Sequence, residues 1–165
     1  MGDLDRLRRV LDVSGDPQNP PARRLKEVIT SVSRVAVVGL SRDPAKAARR
    51  VPSYMATKGY DIIPVNPFAD RILGKPARRH LDEVTEVVDM VLVFRPSTEA
   101  GAVLELAAAR PERPVIWLQE GIRADSAAAK ARADGLTIVQ DLCFYQAHRA
   151  LTEDQLRAFQ GSAST

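Results

Sequence analysis

The sequence predicts an α/β fold, a doubly wound parallel sheet of five strands in the order 3-2-1-4-5 with helices on both faces. Three observations carry this reading. Five short apolar runs rich in β-branched residues recur along the chain, amphipathic stretches lie between them, and glycine or turn residues mark the junctions. Short apolar runs of this kind suit strands buried on both faces. Alternation of strands with helices implies parallel pairing through right-handed crossovers. The length agrees, since 165 residues make one domain around one sizeable core.

Leu4, Leu7 and Leu11 share a helical stripe behind Asp3, which predicts a short amphipathic helix over residues 3–13. Asp16-Pro17-Gln18-Asn19-Pro20-Pro21 has the composition of a linker. A second helix, from about Ala22 to Val32, sets Leu25, Val28 and Ile29 on one face. The first strand is Arg34-Val35-Ala36-Val37-Val38, and Gly39 ends it in a tight turn. A helix follows over Val51 to Lys58. Pro52 suits a first turn, so this helix can start as late as Arg50, and Gly59 suits its C-terminal cap.

The second and third strands are Tyr60-Asp61-Ile62-Ile63-Pro64-Val65 and Asp89-Met90-Val91-Leu92-Val93-Phe94. Ser97-Thr98-Glu99-Ala100 opens a helix through Leu104 and Leu106 to Ala109. Pro114-Val115-Ile116-Trp117-Leu118 is the fourth strand. Asp125-Ser126-Ala127 opens a helix that ends at Gly135, and Leu136-Thr137-Ile138-Val139 is the fifth strand. Phe144, His148 and Leu151 belong to a C-terminal helix. The chain thus divides into a helical extension and linker (residues 1–33), a Rossmann-like domain (34–151) and a tail (152–165), with Gly161–Thr165 expected to be disordered.

Composition narrows the function. With 45% hydrophobic and 27% charged residues, the chain is neither disordered nor collagenous, and no run approaches the ~18 apolar residues of a membrane-spanning helix. Lys and Arg number 24 against 21 Asp and Glu, and this small surplus suits a phosphate-bearing small ligand as well as a nucleic acid. Cys143 is the only cysteine, which excludes an internal disulfide and a zinc site of several cysteines. The N-terminal segment has no apolar core of an export signal. Asp3, Asp5 and Asp12 argue against a transit peptide, and Arg6 stands where a myristoylation signal wants Ser or Thr. A reducing cytoplasm is the expected compartment.

In an open parallel sheet, ligands bind beyond the carboxyl ends of the strands, so the loops there carry the function. After the first strand comes Gly39-Leu40-Ser41-Arg42, followed by Lys46, Arg49 and Arg50 beside a helix N-terminus. Four cations at a helix end suit a phosphate or pyrophosphate, although a solvated basic loop has the same composition. The dinucleotide fingerprint G-x-G-x-x-G is missing, because only its first glycine is present. The second strand ends in Val65-Asn66-Pro67 rather than in an acidic residue that would hold a ribose. That disfavours NAD and tolerates a phosphorylated ribose, as in NADP or the 3′-phospho-ADP end of coenzyme A. After the third strand, Arg95 is placed to pair with a phosphate, whereas Ser97 also reads as a helix N-cap. After the fourth strand, Gln119-Glu120-Gly121 offers polar groups and a close approach to a polar, amide-rich ligand chain.

On these segments the chain resembles the small single-domain CoA-binding proteins, which are similar to the CoA-binding domain of the succinyl-CoA synthetase α subunit. The segments are Val35–Arg42, Gly59–Pro67, Val88–Pro96, Val115–Ile122 and Gly135–Val139 with Asp141-Leu142-Cys143. They stand in the family's order and spacing from about Arg34 to Ala150. The resemblance implies a Rossmann-like fold that binds coenzyme A or an acyl-CoA. It implies phosphates at Gly39, Leu40, Ser41 and Arg42, with Lys46 and Arg50 as basic positions behind them. Asn66-Pro67 would line the adenosine side, Phe94-Arg95-Pro96 would flank the adenine or pyrophosphate, and Gln119-Glu120-Gly121 would follow the pantetheine. The chain departs from the pattern at Ala48-Arg49, where relatives often carry Ser-Tyr.

No catalytic set converges in the sequence. His80 reads as a solvated loop residue and His148 as a packed helix residue. Glu120 reads as a hydrogen-bonding group, and Cys143 as a small buried hydrophobe rather than a partner for the CoA thiol. The expectation is therefore a non-catalytic CoA-binding protein acting as a sensor, carrier or accessory subunit. A component of an acyl-CoA ligase or transferase completed by a protein partner is the alternative. A nucleotide-responsive or DNA-binding regulator, supported by Arg6, Arg8, Arg9, Arg23 and Arg24, ranks last.

Overall fold

The structure, a computed structural model, describes the backbone of residues 1–162 and the side chains of residues 1–153. Its elements in order are α1 (Asp3–Asp12), α2 (Ala22–Ser31), β1 (Arg34–Val38), α3 (Ala47–Thr57), β2 (Asp61–Val65), β3 (Arg71–Ile72) and β4 (Lys75–Pro76). A 3-10 turn (Leu81–Glu83) follows, then β5 (Met90–Val93), α4 (Ser97–Ala108), β6 (Val115–Leu118), α5 (Asp125–Ala133), β7 (Ile138–Val139) and α6 (Phe144–Ser162). Residues 152–162, expected as a tail, continue α6, and residues 163–165 lie outside the described residues.

Five parallel strands form the main sheet in the order β2-β1-β5-β6-β7, while β3 and β4 make a separate antiparallel ribbon. The doubly wound α/β architecture is as expected. The strand order is not. Counted within the main sheet it is 2-1-3-4-5 rather than 3-2-1-4-5, so β5 lies beside β1 instead of beyond β2. The physical reason is in the strands themselves. Pro64 sits inside β2, lacks an N–H for a ladder, and suits an edge strand. All four residues of β5 are apolar and buried, as an interior strand requires.

Alternation along β1 divides the core. Val35 and Val37 face a layer made by α1, α2, α3 and α6, with Met55, Trp117 and Phe144 at its centre. Ala36 and Val38 face a second layer of α4, α5 and the 3-10 turn, with Leu104, Ile116 and Leu118. Trp117 is fully buried, and its indole N–H donates to the Leu142 carbonyl at 2.8 Å.

The segment read as a linker is ordered and structural. Asn19 accepts from the backbone N–H of Gln140 at 2.8 Å and donates to its carbonyl at 2.9 Å, as a neighbouring strand would. Asp16 is buried and accepts from Gln140 Nε2 at 2.8 Å and Arg132 at 3.1 Å. Burial pushes the Asp16 carboxyl up. Hydrogen bonds from Gln140, the Gln18 N–H and Arg132 outweigh it and hold the group below the usual carboxylate range. The edge of β7 is thereby covered.

The connection from β2 to β5 contains no α-helix. Arg110, at the end of α4, pins it by donating to the carbonyls of Leu81 (3.3 Å), Val84 (3.1 Å) and Glu86 (3.0 Å). Its Nε donates to Glu112 at 3.1 Å, and Glu112 also accepts from the Val88 N–H. Arg110→Ala leaves these carbonyls and a largely buried carboxylate short of donors. We expect a loss of about 2–4 kcal/mol of stability, read as a lower urea midpoint at unchanged slope.

His148 is buried among Tyr54, Tyr60 and Phe144, and its Nδ1 lies 2.6 Å from the Tyr54 hydroxyl. Burial first, and Lys58 second, hold its pKa below the ordinary 6.5. The folded protein therefore resists protonation that the unfolded chain accepts. Stability is fully present above about pH 6.5 and falls as the pH drops toward the depressed value, by at most about 1.4 kcal/mol per pH unit. Urea unfolding at pH 7.5 and 5.5 should show a smaller acid loss in His148→Gln than in the natural protein.

Candidate functional site

The strand order places the topological switch between β1 and β5, where neighbouring chains leave the sheet in opposite directions. A cleft of about 610 Å³ opens there, across the carboxyl ends of β1, β2 and β5. Gly39 forms its floor at φ +87°. A Cβ at this position would lie 3.0 Å from Arg95 Cδ and 3.3 Å from the Phe94 carbonyl carbon. Only glycine meets both the backbone conformation and the close approach of the loop after β5.

The loop after β1 has three anchors. Gly39 N–H donates to the Val65 carbonyl at 2.9 Å, and Asn66 Nδ2 donates to the Leu40 carbonyl at 2.9 Å. Ser41 N–H donates to the Ala48 carbonyl at 3.0 Å. That last acceptor exists because α3 begins at Ala47, three residues before the latest start expected from sequence, and Pro52 lies in its interior. Pro52 has no N–H to give to the residue four places before it, which is Ala48. The carbonyl left free is the one that fixes the loop.

Of the expected ligand residues, the cleft gathers Gly39, Ser41, Lys46, Asn66, Pro67, Phe94, Arg95 and Pro96. Six others do not line it. Leu40 is fully buried in the core. Arg42 is exposed on the loop, and Arg50 is exposed and donates to the Ala45 carbonyl at 2.9 Å. Gln119 is buried, and its Oε1 accepts from Phe144 N–H at 3.2 Å, capping α6. Glu120 is exposed, and Gly121 N–H donates to Asp141 at 2.6 Å. Within the cleft, the Asn66 amide bridges loops, since its Oδ1 accepts from Phe68 N–H at 2.7 Å while its Nδ2 holds Leu40.

The structure adds residues that sequence reading did not place at the strand ends. Arg79 and His80 reach the cleft from the chain after the ribbon, and Glu99, Val103 and Leu106 reach it from α4. Phe68 and Leu106 are 82% and 53% exposed, so two of the five large exposed apolar side chains among the described residues line this one cleft. The position of Phe68 directly after Asn66-Pro67 hinted at its place near the end of the second strand, while its exposure is known only from the fold. Arg79 and His80 had no such signal, because only the fold brings them to the strand ends. Lys46, Arg79 and Arg95 supply positive charge, and Ala48 presents the N-terminal turn of α3, whose first N–H groups have no intrahelical acceptor. Cys143 is buried and does not line the cleft. Among the described residues no cluster of metal-ligating side chains occurs, and no helix is long and apolar enough to cross a membrane.

The arrangement is a basic rim over a glycine floor with an aromatic ring at its mouth. It is suited to a ligand with phosphates and a planar ring. Comparisons with known proteins agree in fold and family. YneT of Bacillus subtilis (strain 168) is 38% identical over 131 residues, covering 79% of this chain and 96% of that protein. A Thermus thermophilus structure, cell-free ID.343, is 33% identical with a TM-score of 0.72, covering 78% of this chain and 97% of that one. The redesigned PH1109 protein, built for binding, is 27% identical with a TM-score of 0.76, covering 82% and 95%. The CoA binding domain family matches residues 33–149. With that match spanning most of the chain, the protein belongs to the CoA binding domain family.

Proposed function

We propose that the protein binds coenzyme A, free or acylated, in the cleft at the carboxyl ends of β1, β2 and β5. In this reading it acts as a non-catalytic binding or accessory protein. The observation that carries it is the convergence of Lys46, Arg79 and Arg95 with the exposed Phe68 ring around Gly39. A nucleotide with a pyrophosphate and a ribose phosphate matches three separated cations better than a neutral or singly charged ligand. Phe68 supplies a face for the adenine. Lys46 and the start of α3 suit the pyrophosphate, and Arg79 suits the ribose 3′-phosphate.

Titration calorimetry with CoA and 3′-dephospho-CoA tests this directly. Binding that weakens at least tenfold without the 3′-phosphate is the expected result, and NADP or NAD binding more tightly than CoA overturns it. Arg79→Ala should erase most of the difference between the two CoA forms, because it removes the charge assigned to that phosphate. Gly39→Ala should abolish measurable binding. It should also cost about 1–3 kcal/mol of stability, since the added Cβ meets the Phe94 backbone at a strained φ.

A further inference from the structure

The cleft has one acidic lining residue among those described, Glu99, and it is aimed at the site's own arginine. Arg95 Nε donates to Glu99 Oε2 at 2.8 Å, and Arg95 Nη2 lies 2.6 Å from the same oxygen. Glu99 sits in the first turn of α4, where the helix N-terminus already favours an anion. The Arg95 guanidinium thus already has an anionic partner within the chain. The other cleft cations differ. Lys46 and Arg79 make no side-chain hydrogen bond or ion pair among the described residues.

The Arg95 stem passes over Gly39, close enough that a Cβ there would meet Cδ at 3.0 Å. Its head group lies beside the cleft floor, paired with Glu99. Resting on the proposed CoA reading, we infer that Glu99 is a built-in counter-ion that a ligand phosphate displaces from Arg95. The carboxylate keeps the arginine ordered and neutralised while the site is empty. It also sets a threshold, because an incoming group must outcompete an intramolecular carboxylate. A singly charged anion gains little by that exchange, whereas a pyrophosphate brings more charge than it replaces. Glu99 is thus a specificity-determining residue that favours polyphosphate ligands without touching them.

The test compares CoA affinity in Glu99→Gln, Glu105→Gln and Arg95→Gln, and in the double variant Arg95→Gln with Glu99→Gln. Glu105 is exposed on the same helix outside the cleft and reports the general effect of losing one negative charge. Exposed ion pairs of this kind are worth up to about a fivefold change in an equilibrium constant. Glu99→Gln should tighten CoA binding about two- to fivefold beyond Glu105→Gln, and that gain should vanish in the Arg95→Gln background. Inorganic phosphate should gain at least as much as CoA from Glu99→Gln, since it is the weaker competitor. If Glu99→Gln binds CoA as the natural protein does, or more weakly, the counter-ion role is overturned while CoA binding stands. If the gain survives in Arg95→Gln, the effect is not displacement from Arg95 and the inference also fails. If the natural protein and all variants bind no CoA, the proposed function falls and the inference with it.

Discussion

The hydrogen bond from Ser41 N–H to the Ala48 carbonyl is the constraint on which the site is built. It exists because Pro52 cannot donate to that carbonyl inside α3. An ordinary helix residue at position 52 would supply a competing N–H, and the loop after β1 would lose its exclusive hold on the helix. With it, the loop is tied to three elements at once: to α3 through Ser41, to β2 through Gly39, and to the turn after β2 through Asn66. A proline that weakens a helix locally thereby fixes the floor and one wall of the cleft.

The electrostatics follow from convergence rather than from a basic segment. Lys46 comes from the start of α3, Arg79 from the chain beyond the β3–β4 ribbon and Arg95 from the end of β5. Many other arginines are spent on structure. Arg110 holds the β2–β5 connection, Arg132 neutralises buried Asp16, and Arg34 pairs with Asp61 at 3.0 Å. The net charge of +3 thus says less about the ligand than the location of three cations at one sheet edge.

The extension before the family region is part of the same body. Helix α1 packs on α6, where Arg6 Nε donates to the Ala150 carbonyl at 2.7 Å. The following turn closes the far edge of the sheet through Asn19 and Gln140. Gly15 N–H donates to Asp141 at 2.7 Å, and the Gly15 carbonyl accepts from Arg123. Ser97 Oγ in turn accepts from Arg123 N–H at 3.1 Å. A continuous set of polar contacts therefore runs from residue 15 to the first turn of α4, which carries Glu99. Prolines at 17, 20 and 21 restrict the turn's backbone, so its ordering costs less entropy than its linker-like composition suggests.

By itself the sequence determined the elements and their class. Apolar β-branched runs and helical stripes are local patterns, and period and burial alone make them strands and helices. That Gly39 after β1 and Arg95 after β5 would lie at the carboxyl edge of the sheet was legible because position relative to a strand end is also local. Strand order, the start of α3 and the membership of the cleft were decided by tertiary structure. Pro64 signals an edge in β2, but which strand fills the other side of β1 depends on a connection without a helix, held by Arg110 from a distant helix end. Gln119 looked available to a ligand until α6 placed Phe144 N–H against it. Arg79 and Phe68 became cleft residues only when the chain after β2 folded back over the sheet edge. Pairing between distant segments is a sum of many weak contacts, and no local pattern encodes where that sum is largest.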